Sequence, residues 1–445
     1  MRRLVTHLLA GIFLLSSVLL VATGPTGGVI AVVLVAVALA IVCVGPEKVG
    51  VGFLGLAFAT APMYKGLAPA GSAVTPTDLC LVAGFGLLLP RLLGNPFRLP
   101  GMYLAAVMVI VATGITGSAV SSSPAASLLA LGFWLATLFA LPVGVHLWRP
   151  SRGEVQAMVW SFVAGHLVST VLGFALGHLA GGRLYGLTNH PNYFAESGVI
   201  AFGLLLHLLA TSSHRVLVWA AMLVTVYSVY LSGSRAGTLA LAVLVAAIPL
   251  VERSALKAYA LSLFAAVGAV VLSLKWSVVA GSGSLARLTG KGDATGSDLE
   301  RTRGLSAGWH RFLDHPLTGS GLIDLFGVHN NYLEAAIGIG IFGLAAFLLI
   351  LWTLGKPLFG DHEFRRLGYT VLGYAVFGAT TPGLYDRTYW VAMSLSIVLV
   401  TAHHEARRLR SSSRNLATSS AARGQWPPPR RPSRSGVVTP GRLPR

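Results

Sequence analysis

Apolar runs long enough to cross a bilayer, separated by short polar joints, recur along most of the chain. A membrane-spanning helix needs roughly 20 apolar residues. Runs of this kind lie near 28–45, 49–62, 77–90, 101–120, 125–147, 155–178, 192–210, 216–231, 236–251, 257–274, 332–354, 367–382 and 388–402, and the segment at 49–62 is short for a span. An earlier run from Leu8 to Val21 follows Met-Arg-Arg, the layout of a signal peptide. It leads straight into the next apolar run with no clear small-x-small site between them, so an uncleaved first helix is expected. The pattern predicts an all-α polytopic membrane protein of about 12–14 transmembrane helices. One long polar loop, about 275–331, interrupts the last third of them.

Composition agrees with that pattern. Of 445 residues, 54% are hydrophobic and only 11% charged, and the mean hydropathy is +0.72. A soluble globule with this composition could not cover itself with polar surface. The net charge of +18 does not imply a nucleic-acid partner, because half of it lies in residues 403–445, where ten arginines face one glutamate. That Pro/Ser/Arg-rich tail lacks the apolar area to fold, and a disordered cytoplasmic segment beside anionic lipid headgroups is expected. The domain reading is therefore a membrane domain over 1–402 followed by a basic tail over 403–445. Placing the amino terminus in the cytoplasm puts thirteen Lys and Arg residues on the inner side, and leaves only Lys65, Arg183, Arg235 and Arg387 in short outer joints. Both termini are then cytoplasmic and the long loop extracytoplasmic. Cys43 and Cys80 fall in or near apolar runs and read as packing residues.

The outward arginines oppose the orientation signal and so ask for a cause. Arg183 stands in GGRLYGLTNHPNYF, just before an apolar run whose helix would offer free N–H groups to an anion. Arg235 is fixed in the tight turn LSGSRAG, while Arg387 is expected to be neutralised by its neighbour Asp386. The densest polar chemistry lies between Glu300 and Gly343, with Arg301, Arg303, Arg311, His310, His315, His329, Asn330 and Asn331. Such a cluster at a membrane edge suits an anionic ligand. His329 reads either as a general base near pH 7 or as an interfacial helix cap. Glu334 could orient it or bind sugar hydroxyls, and Glu196 could pair with Arg183 or face a cavity. His146, His166, His178 and His207 read as hydrogen-bonded packing residues. No Asp-x-Asp pair is present, so neither a metal nor a cofactor is expected.

Four segments together resemble the O-antigen ligase and O-antigen polymerase family of bacterial membrane glycosyltransferases. RLYGLTNHPNYFAE from Arg183 is similar to the family's Arg-x-x-Gly segment, and LSGSRAG around Arg235 to its Ser-Arg-Gly turn, with Ala236 where glycine is usual. RTRGLSAGWHRFLDHPLTGSG resembles the loop segment ending in Pro-Leu-x-Gly-x-Gly, in which Arg301 fits the spacing to Pro316 but Arg303 stays open. HNNYLEAAIGIGIFG resembles the ligase pattern of His-Asn, nine residues, Gly, two residues and Gly, here Gly340 and Gly343. The resemblance covers about 180–350.

It implies transfer of a glycan from a polyprenyl-diphosphate carrier to an acceptor hydroxyl on the outer face of the cytoplasmic membrane. The acceptor would be a glycan, a lipid or a protein. Arg183, Arg235 and Arg301 would hold the diphosphate, and His329 would activate the acceptor in an inverting, metal-independent reaction. Arg303, Arg311, Asn330, Glu334 and Glu196 are secondary candidates. The rival reading is a lipid-linked glycan flippase or another transporter, for which repeated halves and ionisable residues near the membrane midplane would be expected.

Overall fold

The computed structural model describes residues 35–68, 74–256, 259–260, 295–323, 325 and 327–398. The expected first helix, most of the span at 257–274 and the basic tail lie outside the described residues. Contacts divide the chain into Met1–Thr401 and Ala402–Arg445, and everything described below belongs to the first.

The all-α polytopic expectation holds. Among the described residues six helices are long and apolar enough to cross a membrane: Gly101–Ala119 (α4), Pro124–Trp148 (α5), Arg152–Ala175 (α6), Pro191–Thr211 (α7), Arg235–Glu252 (α9) and Asn331–Phe359. The α-helical part of the last, Asn331–Gly355, is α11. Shorter apolar helices are Val35–Val44 (α1), Pro76–Leu87 (α3) and Arg215–Leu231 (α8). Further helices include Pro46–Thr60 (α2), Thr295–Asp314 (α10), Tyr369–Phe377 (α12) and Arg387–Ser394 (α13). Among the described residues the only strands are the two-residue β1, Leu179–Ala180, and β2, Arg183–Leu184, paired antiparallel with Ala180 opposite Arg183.

Local sequence explains where helices begin. Proline opens α2, α3, α5 and α7, a position where its missing N–H costs nothing. Capping boxes start α3 (Thr75 with Asp78) and α6 (Ser151 with Glu154). α7 is the central helix, buried on every side from Phe194 to Leu208 except at its polar beginning. α8 instead exposes Val216, Leu217 and Leu223, the surface expected of a helix facing lipid.

The predicted span at 332–354 is not one uninterrupted helix. At Gly340 the backbone turns to φ 68°, ψ −176° and α11 breaks. The carbonyls of Ile337 and Gly338 then accept hydrogen bonds from the Ser320 and Gly321 N–H groups (2.7 and 3.1 Å), and Ile341 N–H donates to the Pro316 carbonyl (2.9 Å). The segment 316–321 is thereby knitted into the break. A Cβ on Gly340 would overlap the Leu317 carbonyl, one on Gly319 the Gly338 carbonyl, and one on Gly117 of α4 the Gly338 carbonyl too. Gly319 and Gly321 also have positive φ (73° and 91°), a conformation that glycine adopts without strain.

Replacing Gly340 by alanine imposes both a disfavoured backbone conformation and an overlap with main chain, so stability should fall by about 2–3 kcal/mol. Gly132→Ala in α5, where nothing lies within 4 Å of the new methyl group, should be neutral or stabilising by up to about 1 kcal/mol. Thermal unfolding of the detergent-solubilised variants measures the difference, and equal midpoints would refute the role given to the break.

Candidate functional site

Charge is concentrated at two rims. α9 runs from Arg235 at one to Glu252 at the other, and its 18 residues separate them by about 27 Å. At the Glu252 rim, Arg365 and Arg366 both grip the Glu252 carboxylate, at 2.9 and 2.5 Å. The candidate site lies at the other rim.

There the β1–β2 hairpin presents Arg183, whose Nε donates to the Ser232 carbonyl (2.8 Å) and Nη2 to Asn192 Oδ1 (3.0 Å). Those bonds join the hairpin to the turn after α8 and to the start of α7. Arg235, the first residue of α9, forms a two-pronged ion pair with Asp298 of α10, one prong measuring 2.9 Å. In the next turn of α10, Arg301 is half-buried, whereas Arg303 is exposed. Gly304 and Gly308 lie on the packed face of α10, against the Gly327 carbonyl and Val328, and Arg301 is one turn before them. Arg311 is engaged structurally, with Nε on Ser320 Oγ (3.2 Å) and Nη2 on the Ile323 carbonyl (3.1 Å).

His329 precedes α11 and has φ 52°, a left-handed conformation that strains a non-glycine residue. It is not the cap: Asn330 is, accepting from the Tyr332 and Leu333 N–H groups (3.0 Å each) while its Nδ2 donates to the Ala379 carbonyl (3.0 Å). With its neighbour pinned on both sides, the imidazole is held half-buried at the helix start. Partial burial and then the Arg301 charge hold its pKa below the usual imidazole value, with Glu300 opposing. His190 caps α7, its Nδ1 accepting from Asn192 N–H (3.1 Å). Desolvation, then the charges of Arg183, Lys65, Arg301 and His329, push its pKa down to about 4. His190 thus feels both arginine-bearing elements and His329 at once, and marks the point on which they converge.

Beside this cluster is a polar cavity of about 490 Å³. Lys65, Asn189, Tyr193, Glu334, Tyr385, Asp386 and Arg387 line it, together with Tyr64 and Phe133. Lys65 Nζ pairs with Asp386 Oδ2 at 2.5 Å and stands over the Tyr193 ring. Burial opposes the Lys65 charge, but Asp386 and Glu196 outweigh it and raise its pKa. Arg387 is not neutralised chiefly by its chain neighbour: its Nε donates to Asp78 Oδ1 (3.1 Å) across from α3, because Asp386 is already held by Lys65. The Glu334 carboxylate points into this cavity and is met by the Gly383 and Leu384 N–H groups. Glu196 is fully buried beside Asp386 and Lys65, with no hydrogen bond to either oxygen. An apolar groove of about 770 Å³, lined by residues such as Leu79, Val82, Phe85, Ala140 and Val143, meets the cavity at Phe133 and Arg387.

The structure therefore brings Arg183, Arg301 and His329 around His190, and places Arg235 on α10 through Asp298. Arg303 lies off this point, Arg311 and Asn330 brace the backbone, and Glu334 and Glu196 belong to the neighbouring cavity. His166 bridges Ser197 and Ser228 (2.9 Å each), His178 meets the Gly186 carbonyl (2.8 Å) and His146 accepts from Arg98 N–H (3.0 Å). His207 departs from the packing expectation, with no hydrogen bond to either ring nitrogen. His190, Lys65 and Asp386 went unremarked as site residues in the sequence. The available signals were the polar run Asn189-His190-Pro191-Asn192 at a helix start and the position of Lys65 among the outward cations.

Fold and site together define a multi-pass membrane protein with a cationic, histidine-bearing centre at one rim. Residues 219–348 match the family model for O-antigen ligase, and this segment carries Arg235, Arg301, His329, Glu334 and the Gly340 break. No curated protein matches the chain. The match supports an O-antigen ligase-like, glycosyltransferase-type activity.

The depressed pKa of His190 is directly measurable. In histidine-labelled full-length protein, the resonance lost in His190→Gln should titrate near pH 4 rather than near the ordinary 6.5. The unfolded state binds the proton first between these values, so this residue's contribution to stability is complete above 6.5 and declines as pH falls towards 4. A titration at 6.5 would show that the surrounding cations do not converge on it.

Proposed function

We propose that this protein transfers a glycan from a polyprenyl-diphosphate carrier to an acceptor hydroxyl at the outer face of the cytoplasmic membrane, with both termini cytoplasmic. The observation that carries the reading is the segment that matches the ligase family, and it is supported by the electrostatic influence of Arg183, Arg301 and His329, from three elements distant in sequence, on His190. The acceptor oxygen attacks the anomeric carbon from the side opposite the diphosphate. The carbon–phosphate-oxygen bond breaks as the new glycosidic bond forms, and the electron pair leaves with the diphosphate. His329, neutral near pH 7, takes the acceptor proton.

Guanidinium groups suit the departing charge because they remain cationic and present fork-shaped donors. Arg183 and Arg301 would meet it first. Arg235 would exchange Asp298 for the phosphate oxygens, an exchange of like for like that keeps the arginine neutralised in both states. The reaction so described asks no metal of the protein, and full activity in chelator is the expected result. The transporter reading draws no comparable support, since these cations gather at a rim.

The test is a gel of products after purified protein meets a polyprenyl-diphosphate oligosaccharide and candidate acceptors. A single shift identifies a ligase and a ladder of repeats a polymerase. His329→Ala should lower turnover by about 10²–10⁴, and Arg183→Ala, Arg235→Ala and Arg301→Ala each by about 10²–10³, all in folded protein. Because the Arg301 charge lowers the His329 pKa, the acid limb of kcat/KM should lie below pH 6.5 and move to higher pH in Arg301→Gln. Unchanged turnover in all four alanine variants would overturn the assignment.

A further inference from the structure

The cavity beside the cationic cluster holds acidic groups of its own. Its two cations are already committed, Lys65 to Asp386 at 2.5 Å and Arg387 to Asp78 at 3.1 Å. Glu334 adds a carboxylate with no cation of its own. This residue is only 3% exposed, lines the cavity, and its Oε1 has no hydrogen-bond partner. A buried carboxylate oxygen left without a donor is costly, and one directed into an open volume is satisfied when a ligand supplies an O–H or N–H.

The walls narrow the choice of ligand. Tyr193 and Tyr385 offer apolar ring faces bearing polar tips, the Asn189 amide offers both a donor and an acceptor, and the volume of about 490 Å³ is ordinary for a small-molecule pocket. Flat apolar faces with fixed acceptors at the edge match a sugar ring, whose C–H faces stack on aromatics while its hydroxyls donate to carboxylates.

We infer that this cavity is the subsite for a sugar ring of the acceptor, with Glu334 as its specificity-determining hydrogen-bond acceptor. The inference rests on the transfer reading given above. The acceptor is favoured over the donor by placement. The donor's first sugar is tied directly to the diphosphate at the arginines. The cavity instead extends away from them to Phe133 and Arg387, where the apolar groove begins, leaving room for an acceptor to continue.

Ligand binding can be tested without turnover. Methyl glucoside and methyl glucosaminide are offered at millimolar concentration to the detergent-solubilised full chain, and saturation transfer from protein to sugar is recorded by NMR. Both should bind. Asn189→Ala and Glu334→Leu should abolish the signal, whereas Glu334→Gln, which keeps an acceptor oxygen, should retain the glucoside more weakly. Arg183→Ala and His329→Ala should leave glucoside binding intact. In the transfer assay, Glu334→Gln should raise the acceptor KM roughly tenfold and leave the donor KM unchanged.

Absence of binding by both sugars, binding that Asn189→Ala and Glu334→Leu leave unchanged, or a rise in donor KM alone would each overturn the proposal. Sugar binding with no transfer to any acceptor would instead count against the enzyme reading while leaving the subsite standing. If Glu334→Leu does not fold, Asn189→Ala and Glu334→Gln still decide it.

Discussion

In a bilayer an unpaired backbone N–H or C=O costs several kcal/mol, so a transmembrane helix can break only where something else pairs the groups released. α11 breaks at Gly340, and what pairs them is the segment 316–321, through Ser320, Gly321 and Pro316. The rest of the rim follows from this. The segment fixes the end of α10, Arg311 clamps α10 to Ser320 and Ile323, and α10 carries both Arg301 and the Asp298 that holds Arg235. Leu322 N–H donates to Ser127 Oγ (2.8 Å), which in turn meets Ser118 Oγ (2.8 Å), tying the loop to α4 and α5 as well. The elements that carry Arg301 and His329 are therefore placed by hydrogen bonds of the loop and the helix break rather than by mutual attraction between the cations, which they lack.

That distinction matters because the site gathers like charges. Arg183, Arg301 and Lys65 all act on His190, and such a cluster holds together only when each member is anchored separately. Arg183 is anchored by a carbonyl and an amide, Arg235 by Asp298, Lys65 by Asp386 and Arg387 by Asp78. These four are the basic residues left in short outer joints by the orientation argument. Their exposure to lipid headgroups is not what keeps them there; each has a built partner.

Helix type and most helix positions were legible because apolar runs and proline starts are local signals, as Pro124 and Pro191 illustrate. The break in α11 was legible only as a motif. Gly340 and Gly343 were singled out by their spacing, but the meaning of Gly340 depends on residues some twenty positions earlier in the chain. The paired readings of Arg387 and Asp386 show the same limit: adjacent opposite charges suggest a local pair, and the fold instead sends one to α3 and the other to Lys65. Likewise the 20-residue helix α10 lay inside what read as a loop, because its charged residues, including Arg301, Arg303 and Arg311, mask its apolar face. Arg301 and Arg303 could not be separated by spacing alone. On a helix, two residues apart is about 200° of rotation, so one faces the packed side and the other does not.

The placement of Glu196 bears on the rival class. A carboxylate buried in a transmembrane helix ordinarily marks a path for ions or substrates, and Glu196 is wholly buried in α7. Yet it lies in the second turn of that helix, about 8 Å from its start, within reach of the Lys65 and Asp386 charges. It therefore belongs to the floor of the rim cavity and not to the centre of the membrane. At the other rim the Glu252 carboxylate is closed by two arginines, and α7, buried on all sides between the two rims, carries only His207 as a further ionisable group. Alternating access needs a polar site that both sides can reach. Here the polar groups form a one-sided basin, cationic around His190 and rich in hydrogen-bonding groups around Glu334, an arrangement suited to holding a phosphorylated donor and a hydroxyl-bearing acceptor side by side.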